Sequence, residues 1–308
     1  MSRAAIIIPA YNAASTIGAT LESLQKCREI RAVDDIFVCD DASADSTVDC
    51  ALRYNDSTLQ ITVLRNESNI GERATVNRLL RQIGNEYQWA YVLHADDVVK
   101  ENWLELYFDR IQNVGSRVAS ICSSYDCWFP ESNTVALGEN DFSRDLEIIR
   151  GSRESVIGTL ARGCWWHVSG CALRMKYVFE IGGFRTDLPQ LGDYEWLLRC
   201  LKSGYDIQYI PRTTMLYRMH EGSVSSTSFK SGQDLKERLD IFSQYFSEGY
   251  LSPYEWRMAR MRIAYWALRR SLKQAARNEI NPIRQLLSVC RDAAKGTSSQ
   301  SPKGLPPC

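Results

Sequence analysis

Apolar and polar positions alternate in blocks along the first part of the chain. Ala4 to Pro9, Asp35 to Asp40, Leu59 to Leu64 and Trp89 to His94 are short, strongly apolar runs of strand length. Between them, amphipathic stretches predict helices from Ser15, as cap, to about Arg28, and over Ser46 to Tyr54 and Gly71 to Ile83. A further helix is expected over Glu101 to Val114. Strands alternating with helices imply an α/β fold whose mainly parallel sheet is covered on both faces. Ligands of such sheets bind beyond the carboxyl ends of the strands. Three of these runs end in polar groups: Pro9-Ala10-Tyr11-Asn12, Asp40-Asp41-Ala42-Ser43 and His94-Ala95-Asp96-Asp97. They are expected to converge on one crevice.

The pattern loosens after residue 125. Phe129 to Arg150 reads as loop, and Glu154 to Leu160 and Arg174 to Ile181 as helices, the second stopped by Gly182-Gly183. Asp193 to Lys202 reads as a helix with Trp196, Leu197, Cys200 and Leu201 on one side. From Asp234 to about Arg291 the chain is helical, with breaks near Pro253 and Pro282. The Gly-, Ser-, Lys- and Pro-rich residues 294–308 read as a disordered tail.

With 308 residues and 44% hydrophobic positions, the chain has ample core for one large or two ordinary domains. Its 37 Lys and Arg balance 37 Asp and Glu, which argues against nucleic acid as the main partner, because phosphate binding needs a basic excess. The apolar run before Pro9 is too short for a signal-peptide core. No uninterrupted apolar stretch approaches the roughly 18 residues of a membrane span. Ten scattered cysteines without a CxxC, beside only three histidines, are read as reduced thiols in a cytoplasmic protein.

Two motifs suggest chemistry. Asp96-Asp97, two carboxylates after an apolar strand, are costly to place together unless a hard cation carrying phosphate oxygens neutralises them. A pair capping the following helix is the plainer alternative. The acidic turn at Asp40-Asp41 can accept hydrogen bonds from a base or ribose, or can simply be an Asx turn leading into a cap at Asp45 or Ser46. No GxGxxG follows the first strand, so a dinucleotide site is not indicated.

Taken in order, IIIPAYNAASTIGATLESL, IFVCDDASADST, NESNIGERATVN, GNEYQWAYVLHADD, IGGFRTDL, LGDYEWLLR and YRMHEGSVS closely resemble the inverting glycosyltransferases of family 2, which have the GT-A fold. The resemblance runs over about residues 4 to 226. It implies a GT-A catalytic domain at 1–226, followed by a helical extension at 227–293 and the tail at 294–308. The implied reaction moves a sugar from a nucleotide-diphosphate-sugar donor to a hydroxyl of a glycan or lipid-linked glycan, with Mn²⁺ or Mg²⁺, in surface polysaccharide synthesis.

Carried over by position, the resemblance implies that Pro9, Ala10 and Tyr11 border the nucleotide, Asp41 faces the base and Arg73 contacts the donor. Asp97 would hold the metal, and Asp96 the ribose or metal. His94 replaces the first acid of the more usual DADD, which bears on the metal's identity because an imidazole adds a nitrogen contact, although a packed strand-end histidine is the plainer reading of His94 itself. Asp193 matches the catalytic base, with a plain N-cap aspartate the alternative. At 3.6 residues per turn Glu195 lies about 200° round the helix from it, so only one of the two can face the crevice. His220 matches a position that reaches the metal or diphosphate in some relatives, and Arg218 can pair with phosphate. Trp166 and His167 fall where such enzymes build the acceptor side, with a buried aromatic cluster the alternative for Trp165. Residues 222–230 read as a polar lid or a linker.

Two rival readings remain at this level. A sugar nucleotidyltransferase would need a Gly-rich basic loop where Pro9-Ala10-Tyr11-Asn12 stands, and a non-catalytic glycan- or partner-binding relative would not need all of Asp41, Asp96, Asp97 and Asp193. The C-terminal stretch has its own signal. Pro253 to Arg284 carries eight basic residues against two acidic ones, interleaved with aromatics and methionines. Such helices suit an anionic membrane surface, or pack on the domain with their basic face in water.

Overall fold

The structure, a computed structural model, describes residues 3–137, 147–220, 224–275 and 280–296. The first half follows the expected alternation. Strands β1 (Ala4–Ala10), β2 (Asp35–Asp40), β3 (Ile61–Arg65) and β4 (Trp89–Val92) are separated by helices α1 (Ile17–Gln25), α2 (Thr47–Leu52) and α3 (Glu72–Ile83). Then come β5 (Val98–Val99), α4 (Trp103–Gln112), β6 (Val118–Phe129), β7 (Thr134–Leu137), β8 (Ile148–Ile149), α5 (Arg153–Arg162), β9 (Ala172–Arg174), α6 (Met175–Ile181), α7 (Gly192–Lys202) and β10 (Asp206–Arg218). Helices α8 (Val224–Ser231), α9 (Gln233–Ser247), α10 (Pro253–Ala275) and α11 (Ile280–Lys295) follow.

The strands form one sheet in the order β3-β2-β1-β4-β9-β6-β10-β5, with β7 on β6 and β8 on β10. The pairs among β3, β2, β1 and β4 are parallel, as is β6 with β10, while β9 runs antiparallel between β4 and β6. Every residue of β1 is buried, as a central strand with helices on both faces requires. Its side chains alternate between two cores: Ala5 and Ile7 join α3 and the C-terminal helices, and Ala4, Ile6 and Ile8 join α1 and α4. Pro9 lies beyond the last β1–β4 pair, Ile7 with Val92, so its missing N–H breaks no rung to β4. Where β1 and β4 part, a crevice opens at the point at which the strand order reverses.

Several expectations need correction. Ser15 caps nothing: α1 starts after Thr16, without a side-chain cap, and the Thr16 and Ile17 N–H groups donate to the Ala13 carbonyl instead. The predicted loop over Phe129 to Arg150 contains β7, paired with the end of β6 from Phe129–Thr134 to Asp126–Leu137, and β8. β7 closes a short hairpin on the adjacent end of β6, whereas β8 is specified by β10, distant in sequence. The lid expected at 222–230 is, from Val224, the helix α8, and residues 221–223 lie outside the described residues. The boundary expected after residue 226 therefore falls inside a helix. One hydrophobic core runs from Tyr194 and Trp196 through Leu235, Phe242, Trp256 and Leu286, uniting α7 with α9, α10 and α11. Of the tail, Ala294 and Lys295 complete α11, and residues 297–308 lie outside the described residues. The nine described cysteines are all free thiols.

Candidate active site

Two loops at the carboxyl edge of the sheet are zipped together. The Asn12 N–H donates to Ser43 Oγ at 2.8 Å and the Ala44 N–H to Asn12 Oδ1 at 2.9 Å, while the Ala13 N–H reaches Thr47 Oγ1 at 2.8 Å. Asn12 and Ala42 take left-handed φ angles of 47° and 59° there. Backbone held in that region is characteristic of sites whose surroundings fix it. Asp41 is buried, and its carboxylate accepts from the Asn66 side-chain amide at 2.6 Å and from the Ile70 and Gly71 N–H groups, each at 2.9 Å. It thus fastens the turn before α3, in which Gly71 has φ 88°. This turn aims Glu72 and Arg73 into the crevice.

The crevice, of about 710 Å³, is lined by Pro9, Ala10, Tyr11, Asp41, Arg73, Asp96, His167, Asp193 and His220 among the residues singled out by sequence. Those expected donor, base, metal and acceptor positions, from seven separate segments, therefore share one cavity. Glu72, His94, Gln190 and Tyr217 join them in the wall. Glu72 had one available signal, its place beside Arg73 at the start of a helix after a parallel strand. Trp166 does not belong to the wall. It is buried, stacks on Trp196 with ring centroids 5.1 Å apart, and donates its indole N–H to Ser120 Oγ at 3.0 Å. Trp165 is likewise buried, with its indole N–H on Thr159 Oγ1. Both belong to the core; His167 alone of that trio faces the cavity.

Arg73 holds the acid side together. Its guanidinium donates to Glu72 Oε1 at 2.8 Å and lies 3.8 Å from Asp193 Oδ1. Burial lowers the Arg73 pKa, but the Glu72 and Asp193 carboxylates outweigh it and raise it. Burial likewise pushes Glu72 up, and His94, Arg73 and His167 bring it below the usual carboxylate range. Asp193 is the second residue of α7, after the N-cap Leu191, and accepts from the Tyr194 N–H at 2.8 Å. Glu195 points away, buried in a two-pronged ion pair with Arg199 at 2.9 and 3.0 Å. His167 Nδ1 lies 3.0 Å from the Ser169 carbonyl, which can only accept, so Nδ1 carries the proton and Nε2 is left as an acceptor. Burial lowers its pKa, which keeps the ring neutral.

Asp97 is fully buried beneath the crevice floor. Its Oδ1 accepts from the Arg218 N–H at 3.0 Å, and its Oδ2 meets no donor in good hydrogen-bond geometry among the described residues. Burial, with the Asp96 charge next to it, pushes this carboxyl up to about 7. Arg218 Nε donates to the Asp96 carbonyl at 2.7 Å, and His220 Nε2 sits 3.1 Å from Asp96 Oδ2. Ligand atoms of His94, Asp96 and Asp97 all lie within 4.8 Å of one another. An orphaned buried carboxylate oxygen beside a second carboxylate and an imidazole suits a divalent cation.

The sequence pattern described as "Glycosyl transferase family 2" matches residues 5–180. The chain belongs to this family. The chain is 34% identical over 244 residues to the Escherichia coli UDP-Glc:alpha-D-GlcNAc-diphosphoundecaprenol beta-1,3-glucosyltransferase WfgD, covering 78% of this chain and 85% of that one. It is 22% identical to glycosyltransferase AglE of Haloferax volcanii, over 66% of its own length and 63% of AglE, just under two thirds of that relative. Among solved structures, S. aureus TarS in complex with UDP-GlcNAc superposes with a TM-score of 0.61 at 16% identity, covering 99% and 98% of the two chains. The mannosyltransferase PcManGT of Pyrobaculum calidifontis, in complex with GDP-Man and Mn²⁺, gives 0.59 at 15% identity, covering 98% and 76%. The family 2 enzyme described here therefore has the GT-A fold, and the α/β architecture with a helical C-terminal part agrees with it.

Proposed function

We propose that this glycosyltransferase moves a sugar, with inversion at the anomeric carbon, from a UDP-sugar to a hydroxyl of a lipid-linked glycan in surface polysaccharide synthesis. The observation that carries this reading is the single crevice in which Asp193, Arg73, Asp96 and His220 meet at the carboxyl edge of the sheet. Asp193 is the base: it accepts the proton of the acceptor hydroxyl as that oxygen attacks the anomeric carbon and the bond to the diphosphate breaks. Arg73 orients the Asp193 carboxylate. Asp96 in the floor and Asp97 beneath it, with His94 and His220 beside them, would hold Mn²⁺ or Mg²⁺. When bound, such an ion offsets the negative charge that grows on the leaving diphosphate. Pro9, Ala10, Tyr11 and Asp41 form the nucleotide end. The likeness to WfgD supports uridine as the base and a diphosphate-linked lipid as the acceptor class.

Thermal unfolding with UDP, GDP, dTDP and CMP, each with and without Mn²⁺, tests it. At about a hundred times its dissociation constant, a ligand adds roughly 2.7 kcal/mol of stability. A shift with UDP that depends on Mn²⁺ is expected. No shift with any nucleotide would remove the donor assignment, and a shift with GDP alone would replace it.

A further inference from the structure

Helix α10 turns one face inward. Trp256, Ile263, Ala267 and Gln274 are buried against its neighbours, Arg270 forms a two-pronged ion pair with Asp234 at 2.7 and 2.9 Å, and Arg260 donates to the Ala293 carbonyl at 2.7 Å. Its opposite face is unusual. Tyr254, Met258, Met261, Tyr265, Leu268 and Leu272 follow spacings of four and three residues in alternation, and so form one stripe along the helix. All six are exposed, from 38% at Met258 to 72% at Tyr254. A soluble surface scatters such side chains; a continuous stripe of them marks an interaction face.

The rims of the stripe decide its partner. Arg257, Arg262, Arg269 and Lys273 are exposed along them, with Glu255 the one acid of the helix. Glu255 is engaged at the helix start, where its carboxylate accepts from the Ser252 N–H at 2.8 Å and the Glu255 N–H donates to Ser252 Oγ. Two copies pairing through the stripe would crowd eight like charges along one seam. An anionic lipid surface pairs with all of them, while the stripe sinks among headgroups and acyl chains. The exposed Trp266, with Arg269 5.2 Å over its ring, extends the cationic rim with an aromatic suited to the membrane interface. Because the chain as a whole is neutral, this attraction is local to α10.

We infer that the outer face of α10 docks the enzyme on an anionic bilayer surface, with the helix lying in the interface plane. The inference rests on α10 alone and not on the donor or acceptor assigned above. The test is co-sedimentation of the full chain with vesicles of phosphatidylcholine, with and without about one third phosphatidylglycerol, in the absence of substrates. Binding at least about tenfold stronger to the anionic vesicles, and weakened by salt, is expected. Met261→Ser/Leu268→Ser/Leu272→Ser should lower it at least about tenfold, and Arg257→Gln/Arg262→Gln/Arg269→Gln should abolish the preference for anionic lipid. These side chains point outward, so both variants should keep the parental Tm, and UDP binding should be unchanged. Equal binding to both vesicle types, no binding, or parental binding by folded variants would overturn the inference. So would a dimer in sedimentation equilibrium that the serine variant converts to monomer, since the face would then belong to a second copy.

Discussion

Asp193→Asn keeps the acceptor oxygen for the Tyr194 N–H but removes the group that would take the acceptor's proton. Loss of a general base costs about 10² to 10⁴ in rate. The expected outcome is a fall of at least about a hundredfold in kcat, with the UDP-induced thermal shift intact; parental turnover would reassign the base. Asp97 calls for a different test because its raised pKa makes it a stability term. An unfolded aspartate ionises near about 3.9, whereas Asp97 in the folded chain holds its proton to about 7. As pH rises through that window the unfolded state loses the proton first, so the metal-free fold loses stability until about pH 7 and then levels off. Asp97→Asn should therefore raise the Tm of metal-free protein at pH 8 and change it little at pH 4. In the parent, Mn²⁺ affinity should climb about tenfold per pH unit up to about 7 and flatten above it, because one proton must leave to admit the ion. Calorimetric titration across pH checks this, and a flat profile would remove Asp97 from the metal site.

At the scale of elements, α7 shows how one helix serves two ends. Asp193 looks into the crevice, while Glu195 and Arg199 are buried together on the other side, where Arg199 also donates to the Gly182 and Gly183 carbonyls. Removing one member of such a pair leaves a buried charge uncompensated, at about 3–5 kcal/mol. Glu195→Ala should lower unfolding stability by that order in urea titrations, and a change below about 1 kcal/mol would show the pair to be dispensable. The opposition of Asp193 and Glu195 was legible in sequence because helical periodicity is a local property. The same holds for β1 to β4, whose apolar runs and polar ends placed the crevice before any contact was known. Legibility failed where distant partners decide. Trp166 reads as a sugar platform beside His167, but Ser120, Phe184 and Trp196, none of them near it in sequence, draw it into the core. The stretch before Arg150 gives no sign of β8 because β10, far along the chain, supplies its register. Ala42 carries a left-handed φ without a glycine to announce it.

For the whole molecule, the consequence of most weight is that the proposed catalytic site does not end where the family motifs end. Glu237 of α9, buried, accepts from the Leu191 N–H at 2.6 Å and the Gln190 N–H at 3.1 Å. Leu191 is the N-cap of α7, so a carboxylate from the C-terminal helices takes the N–H of the N-cap and of the residue before it, at the start of the helix that carries Asp193. Gln233 holds Glu237 in turn through its side-chain amide at 2.9 Å. On the near side, a Cβ at Gly192 would meet Arg73 Nε at 3.2 Å, so this turn is also fitted closely to Arg73. On the proposed assignment of Asp193 as base, Glu237 is a positioning residue. Glu237→Gln keeps the size and one acceptor oxygen but loses the charge and the geometry of a shared carboxylate. It should lower kcat about tenfold, roughly the 1.4 kcal/mol lost from a charge-assisted bond, and leave KM for the donor nearly unchanged. Glu237→Asp, which restores the charge on a shorter stem, should recover part of the rate without recovering stability. A brace without a catalytic consequence would show the reverse, a lowered Tm at parental kcat. Because α9, α10 and α11 share the core of α7, a chain ended after residue 232 should fail to fold, and the rate effect can be read only in the full chain.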